Sequence, residues 1–413
     1  MIDSAMRILP GLQRGMVTRP GRLILVNQVM RARPTHHMIV AQAPKWALEK
    51  VDKGCRAFFW AGSDHIIGRK CAVSSQRVCR PKYLGGLGVI DLQKQGIALR
   101  MRWEWLNRTE NSRPWQGLSD LVDKQAVSAF GSLVKWKIGD GSKALFWKDR
   151  GIGGSAVQDV APTLVAKVKT RVINRRSVKE GLHLHAWMED IVGVLDTDGL
   201  MQFVRLCEAV MQVQLQLGEE DRPIWEWNST GKYTASSAYA MLCEGGIRFQ
   251  LAAPIWKCGA PLSGKIFMWL AAQYRLWTSD RRTRHGLQDS TSPCHLCEQE
   301  EDTVDHILVQ CAFAKQVWFQ CFIRVGLPLE LTPTGQVTME DWWTTSRKLV
   351  PETHRKDYDS LVVLICWCLW KQRNGRVFGR NDNCNELGTV QLIFRERQLW
   401  AMARRSGVLH FCE

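Results

Sequence analysis

Apolar residues recur along this chain mostly at the three-to-four-residue spacing of amphipathic helices, so helix is the dominant expectation. Leu23, Val26 and Met30 predict a helix over 21–30, with Arg19 and Arg22 alongside and Pro34 ending or bending it. Trp46, Leu48, Val51, Cys55, Phe58 and Phe59 form an apolar stripe that predicts a second helix over 45–60. A third runs over 91–105, opened by Asp91, an acidic residue suited to a helix start. Residues 174–217 read as largely helical. Residues 265–277 carry Phe267, Leu270, Ala271 and Tyr274 at helical spacing, with Ser263 as the expected cap. From Asp305 onward Ile307, Leu308, Cys311, Ala314, Trp318 and Cys321 predict one continuous helix. Two stretches break the pattern. Residues 134–147 read as strand, Gly-Asp-Gly turn and strand, and residues 224–234 alternate Trp225 and Trp227 with polar residues, turn at 228–231 and return through Tyr233. Both predict small hairpins, the second followed by a short helix that Ser236 or Ser237 caps and that runs to Leu242. Cross-strand packing is the reading preferred for Trp225, Trp227 and Tyr233 over base stacking.

Composition turns this helical pattern toward particular partners. The chain of 413 residues carries a formal charge of +16, and residues 1–110 alone hold 19 Lys or Arg against 7 Asp or Glu, a local excess of +12. A balance this basic favours a polyanion, and nucleic acid is the commonest one. The 14 cysteines are too dispersed for a disulfide scaffold, and residues 1–10 hold no apolar core of signal-peptide length. The apolar run 361–370 is about half of what a membrane-spanning helix needs. These features predict a protein without a membrane partner in a reducing compartment, nucleus or cytoplasm.

Two glycine-rich stretches resemble phosphate cradles and are read otherwise. Gly85-Gly86-Leu87-Gly88 lacks the spacing, strand and helix of a dinucleotide loop, which leaves a turn. Gly259 to Lys265 matches G-x-x-x-x-G-K, but Ile266 stands where a magnesium-binding hydroxyl belongs and Pro261 removes a backbone donor. No nucleotide cofactor is expected. His183 and His185, two apart on a helix, point to different faces and are not expected to share a metal.

The strongest chemical signal is Cys294 and Cys297, then His306 and Cys311, a C-x2-C-x8-H-x4-C spacing. Two cysteines two residues apart turn a knuckle of backbone around a metal, and a later His and Cys close a tetrahedron of ligands suited to zinc. With all four positions filled by protein the site is structural rather than catalytic. His295, inside the cysteine turn, is read as a bystander, and Cys366 and Cys368 as core residues. From Thr291 to Cys311 there is no Lys or Arg, and Glu298, Glu300, Glu301, Asp302 and Asp305 make the loop acidic. Nucleic acid is therefore expected at the arginines just upstream, Arg281, Arg282 and Arg284, and in the basic first quarter, at Arg19, Arg22 and Lys82.

Several motifs stand out in order along the chain: Arg19-Pro20-Gly21-Arg22-Leu23, Phe58-Phe59-Trp60-Ala61-Gly62, Cys79-Arg80-Pro81-Lys82 with the glycine turn, and Trp103-Glu104-Trp105. Farther on come Ile138-Gly139-Asp140-Gly141 with Phe146-Trp147-Lys148-Asp149, Trp225-Glu226-Trp227 with Gly231-Lys232-Tyr233-Thr234, and Trp370-Lys371-Gln372-Arg373-Asn374. Together they resemble the C-terminal part of plant non-LTR (LINE-type) retrotransposon reverse transcriptases. Lys265, Phe267, Trp269-Leu270, Ser279-Asp280-Arg281, the four ligands and Trp318 resemble that family's zinc-binding domain. The resemblance implies a thumb-like region gripping template and primer, with the polymerase palm upstream of Met1. Reverse transcription needs paired carboxylates around two metal ions, and no adjacent Asp-Asp pair occurs, so no catalytic residue is assigned.

The expected architecture is a predominantly helical α+β protein. It comprises a basic thumb-like region at 1–110, a middle region at 111–220, a zinc-binding domain at 221–325 and a helical region at 326–413. Small hairpins lie between the outer parts. The expected function is that of a non-catalytic fragment of a retrotransposon reverse transcriptase with structural Zn2+ and RNA or DNA as partner. The alternatives are a protein-interaction scaffold, whose tryptophans would pack on another protein, or a decaying reading frame without selected activity.

Overall fold

The computed structural model describes residues 17–63, 71–110, 124–379 and 384–403; the segment 1–10, read above for a leader, lies outside them. The fold is predominantly helical α+β, as expected from the periodicity. Among the described residues no helix is long and apolar enough to cross a membrane. The described residues divide into two compact units, one from 30–51 and 91–244, the other from 17–29, 52–90 and 245–403.

The first unit is built around helix Leu92–Thr109. Asp91 caps it, its side chain accepting from the backbone N–H groups of Gln93 and Lys94 at 3.0 and 3.2 Å, which satisfies donors a helix start leaves unpaired. Helices Thr35–Val40, Lys124–Leu133 and Ala235–Cys243 pack on it, closing a core of Met101, Phe130, Val134 and Trp225. A second core gathers Phe146, Trp147, Trp187, Leu164 and Leu206. Thr234, rather than Ser236 or Ser237, caps helix Ala235–Cys243.

The expected hairpins give way to a long-range pairing. Strand Lys135–Lys137 pairs antiparallel with Arg222–Ile224, Trp136 opposite Pro223. The Gly-Asp-Gly segment instead wraps a buried carboxylate. Asp221 Oδ1 accepts from the N–H groups of Gly139 and Gly141 at 2.7 and 2.9 Å, and Oδ2 from Lys143 and Ala144 at 2.9 Å each. Glycine is required at 139 because a Cβ there would lie 2.2 Å from the Glu219 carbonyl oxygen. Residues 225–233 form a turn, in which Trp225 meets Tyr233 edge to face at 4.9 Å and Trp227 remains 40% exposed. Residues 174–217 hold helices Val178–Leu182 and Thr197–Met211 with irregular chain between.

In the second unit, helix Arg355–Val377 is buried along most of its length. Helices Ala252–Lys257, Leu262–Ala272 and Glu386–Ala403 pack on it. The P-loop-like stretch is used for packing: Gly264 faces Val363 and Trp400 closely, and Lys265 Nζ donates to the Trp256 carbonyl at 3.0 Å. The helix begins at Leu262 with Pro261 before it, and no side-chain cap from Ser263; it ends at Ala272, where Tyr274 adopts φ +52°. Gly85 and Gly88 take left-handed φ values of 79° and 69°, as the expected turn requires. The Gly85 carbonyl accepts from Trp269 Nε1 at 2.9 Å. The sequence stripe at 45–60 misplaces one residue: helix Lys45–Ala61 forms, but Trp46 is 64% exposed.

Candidate metal centre

Cys294 and Cys297 lie on a short knuckle whose ends, Pro293 and Glu301, pair as an antiparallel bridge. Cys294 N–H donates to the Glu300 carbonyl at 2.6 Å, and Glu298 N–H to the Cys294 carbonyl at 2.7 Å. Glu298 turns the chain with φ +58°, a conformation that costs a non-glycine residue on the order of 1 kcal/mol. The other pair comes from a wide turn. Residues His306–Gln310 form a π-helical turn, and Cys311 N–H bonds back to the His306 carbonyl at 2.8 Å. Cys311 is extended and precedes helix Ala312–Arg324. The continuous helix expected from Asp305 is thus broken at the ligand; one wide turn brings His306 and Cys311 to the same point.

One ligand atom from each of Cys294, Cys297, His306 and Cys311 lies within 4.8 Å of every other. The Cys294 and Cys311 sulfurs are 4.0 Å apart, and Cys297 Sγ is 3.2 Å from His306 Nε2. Metal–sulfur bonds of about 2.3 Å in a tetrahedron set neighbouring sulfurs roughly 3.8 Å apart, so the four groups fit zinc. Cys294 and Cys311 are fully buried and His306 nearly so. Hydrogen bonding from Cys311, with smaller help from His306 and backbone N–H groups, holds the Cys294 thiol far below its usual pKa. Cys311 is pushed up correspondingly by that bond and by burial. Burial alone would lower the His306 pKa, but bonds to Cys294 and Cys297 raise it to about 9. The cluster is therefore poised to hold a cation in place of shared protons. His295 contributes its carbonyl to Arg376 and stays outside the ligand set.

The acidic loop has structural work that its composition does not reveal. His306 Nδ1 lies 3.1 Å from Glu300 Oε2, which fixes Nε2 as the ligand nitrogen; Gln336 donates to the other Glu300 oxygen at 3.3 Å. Asp302, fully buried, forms an ion pair with Arg373 and accepts from Ser279 N–H at 2.8 Å. Arg376 donates to the carbonyls of His295 and Leu296 at 3.1 and 2.9 Å. Helix Arg355–Val377 thus grips the knuckle through two arginines.

The proposed nucleic-acid residues differ in availability. Lys82 is exposed above the Trp256 ring, 4.8 Å from its centroid. Arg19 lies 5.5 Å from the Trp60 centroid, and Arg22 donates to the Phe58 carbonyl at 3.4 Å. Arg284 is exposed and pairs with Asp280, and Arg282 is half-buried. Arg281 is turned inward: it is 4% exposed, bonds the Arg275 carbonyl and stacks on Trp277 at 4.3 Å. Burial, with Arg275 and Arg284 nearby, lowers its pKa.

Residues 233–318 match the family described as zinc-binding in reverse transcriptase, and the four candidate ligands fall inside that match. This part of the chain is related to retrotransposon reverse transcriptases and carries the Cys3His cluster. Among known proteins the chain is similar to the Arabidopsis thaliana protein named "Putative ribonuclease H protein", 23% identical in an alignment 411 positions long that covers 92% of this chain and 64% of the relative. The chain therefore spans less than two thirds of that relative's length.

Proposed function

We propose that this chain is a non-catalytic, nucleic-acid-associated part of a retrotransposon-derived reverse transcriptase, in which zinc at Cys294, Cys297, His306 and Cys311 staples the fold. The observation that carries this reading is the closed Cys3His set with its own supporting carboxylate, inside a region that matches a zinc-binding family. Four protein ligands leave zinc no open position for water, so its contribution is to folding, on the order of 10 kcal/mol in small zinc domains.

Nucleic-acid contact rests on charge: the +12 excess of the first 110 residues, the exposed Arg19, Lys82 and Arg284, and the half-buried Arg22 and Arg282. The relative's name adds ribonuclease H to the possible activities. A titration of RNA and DNA against the intact chain at rising salt tests the reading. Binding that weakens linearly in log K against log salt supports it; no binding at low salt overturns it, and strand cleavage with magnesium overturns the non-catalytic part.

Tryptophans clustered on exposed faces would support the scaffold alternative; Trp147, Trp187, Trp225, Trp269, Trp318 and Trp343 are fully buried, whereas Trp46, Trp227 and Trp277 are exposed.

A further inference from the structure

Between the glycine turn and the segment after Gly245, the second unit forms an open pocket of about 310 Å3 whose lining includes Arg77, Arg80, Gly85, Arg248, Phe249 and Glu340. We propose that this pocket seats one phosphate-bearing nucleotide of a single strand, with the phosphate among the three guanidinium groups and its nucleoside against Phe249. The proposal rests on the nucleic-acid reading above and adds a definite subsite to it.

Three observations carry it. The first is charge. Three arginines face one carboxylate across the lining, a local excess that selects an anion, and guanidinium groups match phosphate oxygens in bidentate geometry. Arg77 donates to Gln273 Oε1 at 2.9 Å, while Arg80 and Arg248 line the pocket and are exposed.

The second is shape. The volume lies at the lower end of the roughly 300–1,000 Å3 typical of small-molecule sites, enough for a single nucleotide and too small for a duplex. Its floor is rigid. Phe249 N–H bonds the Tyr83 carbonyl at 3.0 Å, and Gly88 N–H bonds the Arg80 carbonyl at 3.0 Å. Gly86 permits the tight path, since a Cβ there would fall 1.9 Å from the Arg80 carbonyl oxygen. Gly85, at φ +79°, lets Phe249 approach to 3.3 Å of where a Cβ would be.

The third is mixed chemistry. A plain anion hole needs neither an aromatic nor an acid, yet Phe249 supplies a face for base stacking and Glu340 an acceptor for a sugar hydroxyl or a base amino group. Burial, with Asp341 and Asp305 near, raises the Glu340 pKa, which softens its repulsion of phosphate.

The test uses the full zinc-loaded chain and a fluorescent single-stranded oligonucleotide, with the double variant Arg80→Gln/Arg248→Gln and the single variant Phe249→Leu. Because Arg80 and Arg248 are exposed, the double variant retains the fold. The subsite predicts binding weaker by about tenfold or more in the double variant, with the slope of log K against log salt shallower by about 0.7, one phosphate contact on a single strand. Phe249→Leu weakens binding and leaves the slope unchanged, and a nucleoside 5′-monophosphate competes better than inorganic phosphate in the parent. Oligonucleotide binding that is equal in parent and double variant overturns the subsite while leaving the nucleic-acid reading intact. Failure of the parent to bind any strand overturns both.

Discussion

Asp302, fully buried between the second and third metal ligands, is ion-paired with Arg373, 71 residues away on helix Arg355–Val377. The pair couples the metal knuckle to the core of its unit, because the same carboxylate accepts from Ser279 N–H at the start of helix Ser279–Arg284. Losing either partner leaves the other charged and buried, which costs about 3–5 kcal/mol. Arg373→Met should therefore lower the unfolding free energy of the zinc-loaded protein by about that amount, read as a lower urea midpoint. A change below about 1 kcal/mol in urea unfolding would show the pair to be dispensable.

Glu300 acts more gently. Its side chain is 55% exposed, so Glu300→Gln leaves the fold intact while removing the carboxylate that orients His306. Supporting carboxylates of this kind are worth about 10–100-fold in metal affinity. Competition with a chromophoric zinc chelator should show a loss in that range, with an unchanged circular dichroism spectrum. Unaltered affinity would mean that the turn alone orients the imidazole.

Asp221 makes the corresponding prediction for the other unit. Asp221→Ala orphans four buried or half-buried backbone donors, at a cost of upward of about 3 kcal/mol. Urea unfolding followed by the fluorescence of the surrounding tryptophans reads it, and zinc content should not change. Zinc loss from this variant would contradict the independence of the two effects.

These partners explain what was legible in the sequence. The ligand spacing at 294–311 could be read because four groups within one short segment must turn around a common centre. Helices such as Leu92–Thr109 were equally readable, since periodicity and the Asp91 cap are local. Arg373 and Arg376 carried no such signal; their partners are fixed only by tertiary packing. Strand Lys135–Lys137 was expected to pair with its neighbour across the glycines, but Arg222–Ile224 supplies the edge and Asp221 takes the glycine N–H groups. The break at Cys311 was hidden because the apolar spacing continues through it, although the π turn redirects the chain.

The central claim is that Cys294, Cys297, His306 and Cys311 hold one structural zinc. Metal analysis of the intact chain beside its Cys297→Ser and Cys71→Ser variants tests it most directly, since Cys71 is a half-buried thiol outside the ligand set. The account predicts one zinc per chain in the parent and in Cys71→Ser, and its loss in Cys297→Ser together with a lower thermal midpoint. A parent purified without chelator that contains no zinc and takes none up, or a Cys297→Ser variant that retains it fully, would contradict the account.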